Sequence, residues 1–378
     1  MPTISIRGNE MPASPIRKLA PLADAAKQRG VHVFHLNIGQ PDLPTPQAAI
    51  DAIRNIDRKV LEYSPSAGNR SYREKLVGYY AKFNINLTAD DIIITSGGSE
   101  AVLFSFLSCL NPGDEIIVPE PAYANYMAFA ISAGAKIRTI ATTIEEGFSL
   151  PKVEKFEELI NERTKAILIC NPNNPTSSAI STADMKKLLT VCRSLGIFVM
   201  IDETYIEFAP KGTALSAVPL VPEFDNFMVI RGVSKFFAAP GLRFGYGLTS
   251  NQAFLQTLLT HQNPWSLNSV GAYAGERMLK DTDYIKKTWT LIDSERTRMC
   301  TKLSGLDTVK IYPAYANFVL VRILKEGLTS FDVFEKAIHQ NLMIRDCSSF
   351  ESLNGEYVRF CIMNPEDNDR LLDVFRSL

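Results

Sequence analysis

The sequence predicts an α/β protein: a three-layer α/β/α unit on a mostly parallel sheet, followed by a smaller α+β unit. Three observations lead there. Short, wholly apolar runs such as AILIC and IFVMI recur in the middle of the chain, too apolar to alternate, as strands covered on both faces are. Helical segments fall between them, the order that builds a parallel sheet. After about residue 270 this alternation gives way to a long helical stretch and then to mixed strands and helices.

The elements follow in order. Residues 1–40 read as an extended arm and a helix from Pro15 to Arg29, stopped by Gly30, that belong with the smaller unit. Residues 41–268 form the large unit. Its candidate strands are Ile92–Thr95, Glu115–Val118, Lys136–Ile140, Ala166–Cys170, Phe198–Ile201 and Met228–Ile230, with helices such as Ser99–Leu110 and Thr182–Leu195 between them. Residues 269–378 form the small unit: a helical stretch from Ser269 to Leu303, the run IYPAYANFVLVRI, a helix near Phe331–Gln340, the segment YVRFCIM and a last helix from Pro365.

Composition excludes several functions. Of 378 residues, 40 are Lys or Arg and 41 are Asp or Glu, a net charge of −1 that fits neither a basic nucleic-acid binder nor a polybasic membrane-surface protein. No run approaches the roughly 18 apolar residues of a membrane span. The opening MPTISIRGNEMPASPIRK lacks the apolar core of a secretory signal. Six cysteines lie far apart, without a disulfide framework or CxxC pair, and none of four histidines sits at ligand spacing from a Cys or Glu. A reducing, cytoplasmic setting with no metal is expected.

The chemistry lies where polar residues follow apolar strands. AILIC runs into NPNNPTS, IFVMI into DETY, and MVI into RGVSKFF. Ligands of open α/β sheets bind beyond the carboxyl ends of the strands, so Asn174, Asp202, Tyr205 and Lys235 can share one crevice. In ITSGGSEAVLFSFL, Gly97, Gly98 and Ser99 join a strand to a helix, where free N–H groups and the helix dipole favour an anion. An anion cradle, a carboxylate, a lysine and an Asn–Tyr pair together suit pyridoxal 5'-phosphate: its phosphate in the turn, its aldehyde on the lysine, its ring nitrogen against the carboxylate.

In the order and spacing of these motifs, from NIGQPDLPTP to YVRFCIMNPEDND, the chain resembles the class I/II aminotransferases of the fold-type I pyridoxal phosphate family. The resemblance implies amino transfer from an amino acid to a 2-oxo acid. It implies that Lys235 in SKFFAAPGLRFGY forms the Schiff base, that Asp202 in VMIDETY pairs with the pyridine nitrogen, and that Tyr205 and Asn174 reach the ring oxygen. Gly98, Ser99, Ser234 and Arg243 would hold the phosphate, and Tyr123 in PEPAYANY would stack on the ring. Tyr63 in EYSPSAG resembles a tyrosine that reaches the neighbouring active site, which implies a homodimer. Arg359 in YVRFCI resembles the arginine that grips the substrate carboxylate, with Gly39 in NIGQPD alongside. The stretch IRDCSSF resembles the histidinol-phosphate branch, in which an arginine at the position of Arg345 helps hold a substrate phosphate. The NIGQPDLPTP opening instead resembles the general amino-acid branches. One departure is Gly232, where the family commonly has a phosphate-binding hydroxyl.

By residue type alone these assignments are weak. A lone lysine is usually a solvated surface group, an aspartate after a strand often caps a helix, and a glycine pair often serves only backbone freedom. Tyr63 and Tyr123 have core readings, Arg243 and Arg359 ion-pair readings. Decarboxylases and β-lyases share the same scaffold and stay open beside the transferase reading. A regulatory protein with an aminotransferase-like domain would carry an added DNA-binding domain, for which the first forty residues leave no room.

Overall fold

Each apolar run forms a strand because it has a helix layer on either side to bury both its faces. The computed structural model describes residues 3–12, 21, 24, 28, 30, 32–39 and 41–378; the helix expected from Pro15 to Arg29 falls largely outside them. The described strands are Phe34–His35 (β1), Ile92–Thr95 (β2), Glu115–Glu120 (β3), Lys136–Ala141 (β4), Thr164–Cys170 (β5), Phe198–Asp202 (β6), Phe227–Gly232 (β7), Gly245–Leu248 (β8), Val309–Ile311 (β9), Phe318–Ile323 (β10), Leu342–Met343 (β11), Arg345–Asp346 (β12) and Tyr357–Cys361 (β13).

β2 to β8 form one seven-stranded sheet in the order β2-β8-β7-β6-β5-β3-β4. β8 runs antiparallel to both neighbours, and the remaining adjacent pairs are parallel. The expected sheet did not include β8. A Cβ at Gly247 would lie 2.6 Å from the sulfur of Met228, so this strand uses glycine where its neighbour comes close.

Successive strand residues face opposite layers. Ile116, Val118, Leu168, Met200, Met228 and Ile230 pack under helices Gly98–Cys109, Asn125–Ala133 and Gln252–His261. Ile117, Ile167, Ile169, Val199, Ile201 and Val229 pack on the other face, with helices Arg70–Ala81 and Thr182–Ser194. The α/β/α layering is the predicted one.

A four-stranded antiparallel sheet, β12-β13-β10-β9, is built from the carboxyl-terminal part. It is flanked by helices Thr282–Ser304, Ser330–His339 and Pro365–Arg376. The expected single helical stretch from Ser269 to Leu303 is two helices, Ser269–Met278 and Thr282–Ser304. The break comes at Asp281, whose side chain accepts from Tyr284 N–H at 2.9 Å and caps the second helix. The amino-terminal segment touches both halves. β1 pairs with β11, whereas Arg7 donates to the Ser132 carbonyl on the large-sheet side.

Candidate active site

β2, β5, β6 and β7 end at the same edge of the large sheet, and the chain leaving each supplies one wall of a cavity of about 330 Å³. That size suits a small ligand. Of the residues singled out in the sequence, Gly98, Ser99, Tyr123, Asn174, Asp202, Tyr205, Ser234, Lys235, Arg243, Arg345 and Arg359 line it. Gly39 and Tyr63 do not.

The first wall is the turn after β2. Gly97, at φ +85°, precedes a helix whose first residues, Gly98 and Ser99, face the cavity. The Arg243 guanidinium crosses this turn and donates to the Ser96 and Pro240 carbonyls at 3.3 and 3.2 Å. A Cβ on Gly97 would lie 2.5 Å from that guanidinium. Behind the turn, a Cβ on Gly245 would lie 2.5 Å from Gly98 N, so only glycine lets β8 back onto it. Gly232 stands at the same corner: its Cβ would be 3.2 Å from the Phe244 carbonyl and 3.9 Å from Gly98 N. Hence the missing hydroxyl would have pointed at the turn, into a crowded corner.

The second wall is Asp202 at the end of β6. Its Oδ1 accepts from the Thr204 N–H at 3.0 Å and from the Thr204 hydroxyl, and its Oδ2 accepts from the Tyr126 hydroxyl at 2.8 Å. These donors are all neutral. They fix the carboxylate without cancelling its charge, which stays available to a cationic group in the cavity. Tyr126 is buried, and desolvation, reinforced by Asp202, pushes its phenol well above the ordinary range, so it remains a donor. Tyr123 packs edge-on to Tyr126, with centroids 5.4 Å apart.

Lys235 forms the third wall. Its Nζ donates to the Ile38 carbonyl at 2.9 Å and lies 5.6 Å from the Tyr205 ring centroid. Desolvation lowers its amine to about 8, because burial disfavours the ammonium form. Gly39, the residue after Ile38, serves from outside: at φ +72° its Cβ would stand 2.6 Å from the Tyr205 hydroxyl, so glycine makes room for that ring.

The far wall belongs to the small sheet. Arg345 and Arg359 are directly opposite each other on β12 and β13, and both are buried. Arg359 donates to the Asn174 side-chain oxygen and the Asn37 carbonyl, lies 4.8 Å from the Phe318 ring centroid, and leaves Nε without a partner among the described residues. Arg345 donates to the Ser349 hydroxyl at 2.7 Å beside the Phe350 ring. Burial lowers its guanidinium somewhat. Among the described residues neither arginine is paired with a carboxylate, so the wall is a buried cationic surface.

Sequence reasoning passed over Tyr126, Thr204, Ile38 and Phe350. The first two carried a signal, since Tyr126 follows Tyr123 by one helical turn in YANY and Thr204 lies inside DETY. Ile38 acts through its backbone and Phe350 through an irregular loop, and neither leaves a trace in residue type.

A family model described as aminotransferase class I and II matches residues 31–375. The chain belongs to this family of aminotransferases. Class I and II aminotransferases depend on pyridoxal phosphate. Among relatives, a histidinol-phosphate aminotransferase of Methanopyrus kandleri is 29% identical over 89% of this chain and 85% of its own length. A threonine-phosphate decarboxylase of Salmonella typhimurium is 30% identical over 76% of each chain. The fold matches the crystal structure of aspartate aminotransferase from Thermotoga maritima, with a TM-score of 0.88, 24% identity and 99% of each chain covered. The chain is thus an enzyme of the aminotransferase class with the fold-type I architecture. Among the described residues no group of side chains could hold a metal ion, and no helix is long and apolar enough to cross a membrane.

Proposed function

We propose that this aminotransferase works as a pyridoxal phosphate-dependent homodimer and that its amino donor carries a second anion, a phosphate by preference. One observation carries the reading: two buried arginines without carboxylate partners face each other in strand register, in the cavity that also holds Asp202 and Lys235. One guanidinium suffices for a substrate carboxylate, gripped as a fork. The second implies another anion, as in a phosphorylated amine.

The residues fit the cofactor. The Gly97–Ser99 turn is an anion cradle that a Cβ on Gly97 or Gly245 would obstruct, and Asp202 is a carboxylate with neutral partners only. Gly98, Ser99, Ser234 and Arg243 would hold the phosphate, with Tyr63 of the partner subunit. Asp202 would hold the proton on the ring nitrogen, Asn174 and Tyr205 would reach the ring oxygen, Tyr123 would cover the ring, and Lys235 Nζ would bind the aldehyde carbon. Bound, the cofactor supplies an acceptor for the electron pair left on the substrate's α-carbon. The chain's own part is acid–base work: Lys235 Nζ would take the proton from the substrate's α-carbon. Arg359 and Asn174 keep the carboxylate still meanwhile. Six free cysteines suit a reducing, cytoplasmic setting.

The test is an amino-donor screen with 2-oxoglutarate, including histidinol phosphate, threonine phosphate and unphosphorylated amino acids. Glutamate formed fastest from threonine phosphate, which carries both anions, supports the proposal. Preference for histidinol phosphate, which has a phosphate but no carboxylate, rejects the two-anion reading, and equal rates from unphosphorylated donors reject the phosphate preference. Carbon dioxide release without glutamate would favour the decarboxylase reading, which the Salmonella relative keeps in view. Lys235→Ala should remove both the cofactor's visible absorbance and nearly all turnover.

A further inference from the structure

Behind the cavity, on the opposite side of the strand ends, lies an ion pair that touches none of the site residues. Glu203 follows Asp202, and because successive strand residues point to opposite faces, its side chain is turned away from the cavity. It is fully buried, with a relative exposure of 0%, and its partner Arg231 is at 8%. Arg231 lies on β7, four residues before Lys235. Its Nε and Nη2 donate to Glu203 Oε2 at 3.1 and 2.7 Å. The other acceptor capacity of Glu203 is taken by the Ser216 hydroxyl and the Ala217 N–H. Arg231 also donates to Ser216 at 2.9 Å, and stands 3.6 Å from Glu207, which Tyr79 holds.

The pair spans the strands that carry the chemistry. Asp202 is in register with Ile230, and Glu203 N–H donates to the Ile230 carbonyl at 2.8 Å, the last backbone bond between the two strands. Beyond that point β6 continues into the Thr204–Tyr205 turn and β7 into the Lys235 loop, with no ladder to hold them together. A buried ion pair is poor value as a source of stability, since desolvation offsets its attraction. What it supplies is a fixed separation. We propose that Glu203 and Arg231 are positioning residues: their fork clamps the ends of β6 and β7 and thereby sets Asp202 against Lys235 across the bound cofactor.

The inference rests on the cofactor reading above. Its test uses the pyridoxal phosphate-loaded enzyme and the variant Glu203→Gln/Arg231→Met, which removes both charges and keeps the bond to Ala217. The pH at which the cofactor's visible band titrates should shift by about one unit and kcat should fall about 30- to 100-fold, the cost of misplacing reacting groups by ~1 Å. KM and the circular dichroism spectrum should hardly change. A folded double variant with the parent's titration and kcat overturns the proposal. Should the double variant not fold, Arg231→Lys decides: it keeps the charge and loses the fork, so a shifted titration supports the clamp and an unshifted one rejects it. If the parent enzyme itself shows no visible band with pyridoxal phosphate, the cofactor reading fails, and that outcome is separate from either result.

Discussion

At Lys235 burial favours the neutral form of a residue that is ordinarily an ammonium. With its amine lowered to about 8, about half is neutral at pH 8, against less than ~1% for an ordinary lysine. The neutral form is the nucleophile, so the rate at which the cofactor-free enzyme captures pyridoxal phosphate should rise with pH to a plateau with its midpoint near 8. Stopped-flow absorbance would show this, and a midpoint near 10 would mean that the cavity does not desolvate the amine. The arginine wall makes a second residue-scale prediction. Arg345→Ala should reduce kcat/KM for a phosphorylated donor by about 30- to 5000-fold, the ~2–5 kcal/mol of a truncated buried charge contact, and leave unphosphorylated donors nearly untouched. Arg359→Lys should weaken every donor, because a point charge cannot replace the fork. Steady-state kinetics with both donor types separates the two arginines, and equal losses from Arg345→Ala would remove its role as selector.

At the scale of elements, the turn after β2 depends on glycines from two strands that are far apart in sequence. Gly245→Ala places a Cβ 2.4 Å from the Gly97 carbonyl carbon, backbone against backbone with no side chain to yield. Overpacking of this kind costs about 1–3 kcal/mol. The melting temperature should therefore fall and the cofactor bind at least ~10-fold more weakly, whereas Gly241→Ala, with nothing within 4 Å, should behave as the parent. Equal cofactor affinity in the two variants would show that the cradle tolerates a wider turn. The same strand marks the limit of sequence reading. β5 to β7 were legible because residues buried on both faces must all be apolar, and their ends announced Asn174, Asp202 and Lys235. β8 was not, because GYGL is shaped by close approach to Met228 and the turn, a three-dimensional constraint without periodicity. The break at Asp281 was likewise hidden in an unbroken helical pattern, since a cap residue differs from a surface aspartate only by what its carboxylate reaches. Glu203 and Arg231 illustrate the other limit. Both types stand in plain sight in DETY and RGVSK, yet pairing them needs the register of β6 with β7.

At the scale of the molecule, a group of exposed apolar side chains marks a face for the second copy proposed above. Val60, Leu61, Tyr63 and Trp265 are exposed, Tyr63 at 80% and Trp265 at 59%, with the two rings 5.2 Å apart. Burying such side chains contributes roughly 1.5–3 kcal/mol each, and a partner subunit is the cover we propose. Leu61→Glu/Trp265→Glu should turn a dimer into a monomer in sedimentation equilibrium and release the cofactor with it. Tyr63→Phe should stay dimeric and bind pyridoxal phosphate about 10- to 100-fold less tightly, as for the loss of a hydrogen bond of ~1.5–3 kcal/mol to a charged group. Complementation decides whether the tyrosine truly crosses over. Tyr63→Ala and Lys235→Ala chains, each nearly inactive alone, should regain activity when unfolded together and refolded as mixed dimers. One of the two sites then combines the native lysine of one chain with the native tyrosine of the other. If Tyr63 served its own chain instead, every site in the mixture would carry one defect and no activity would return.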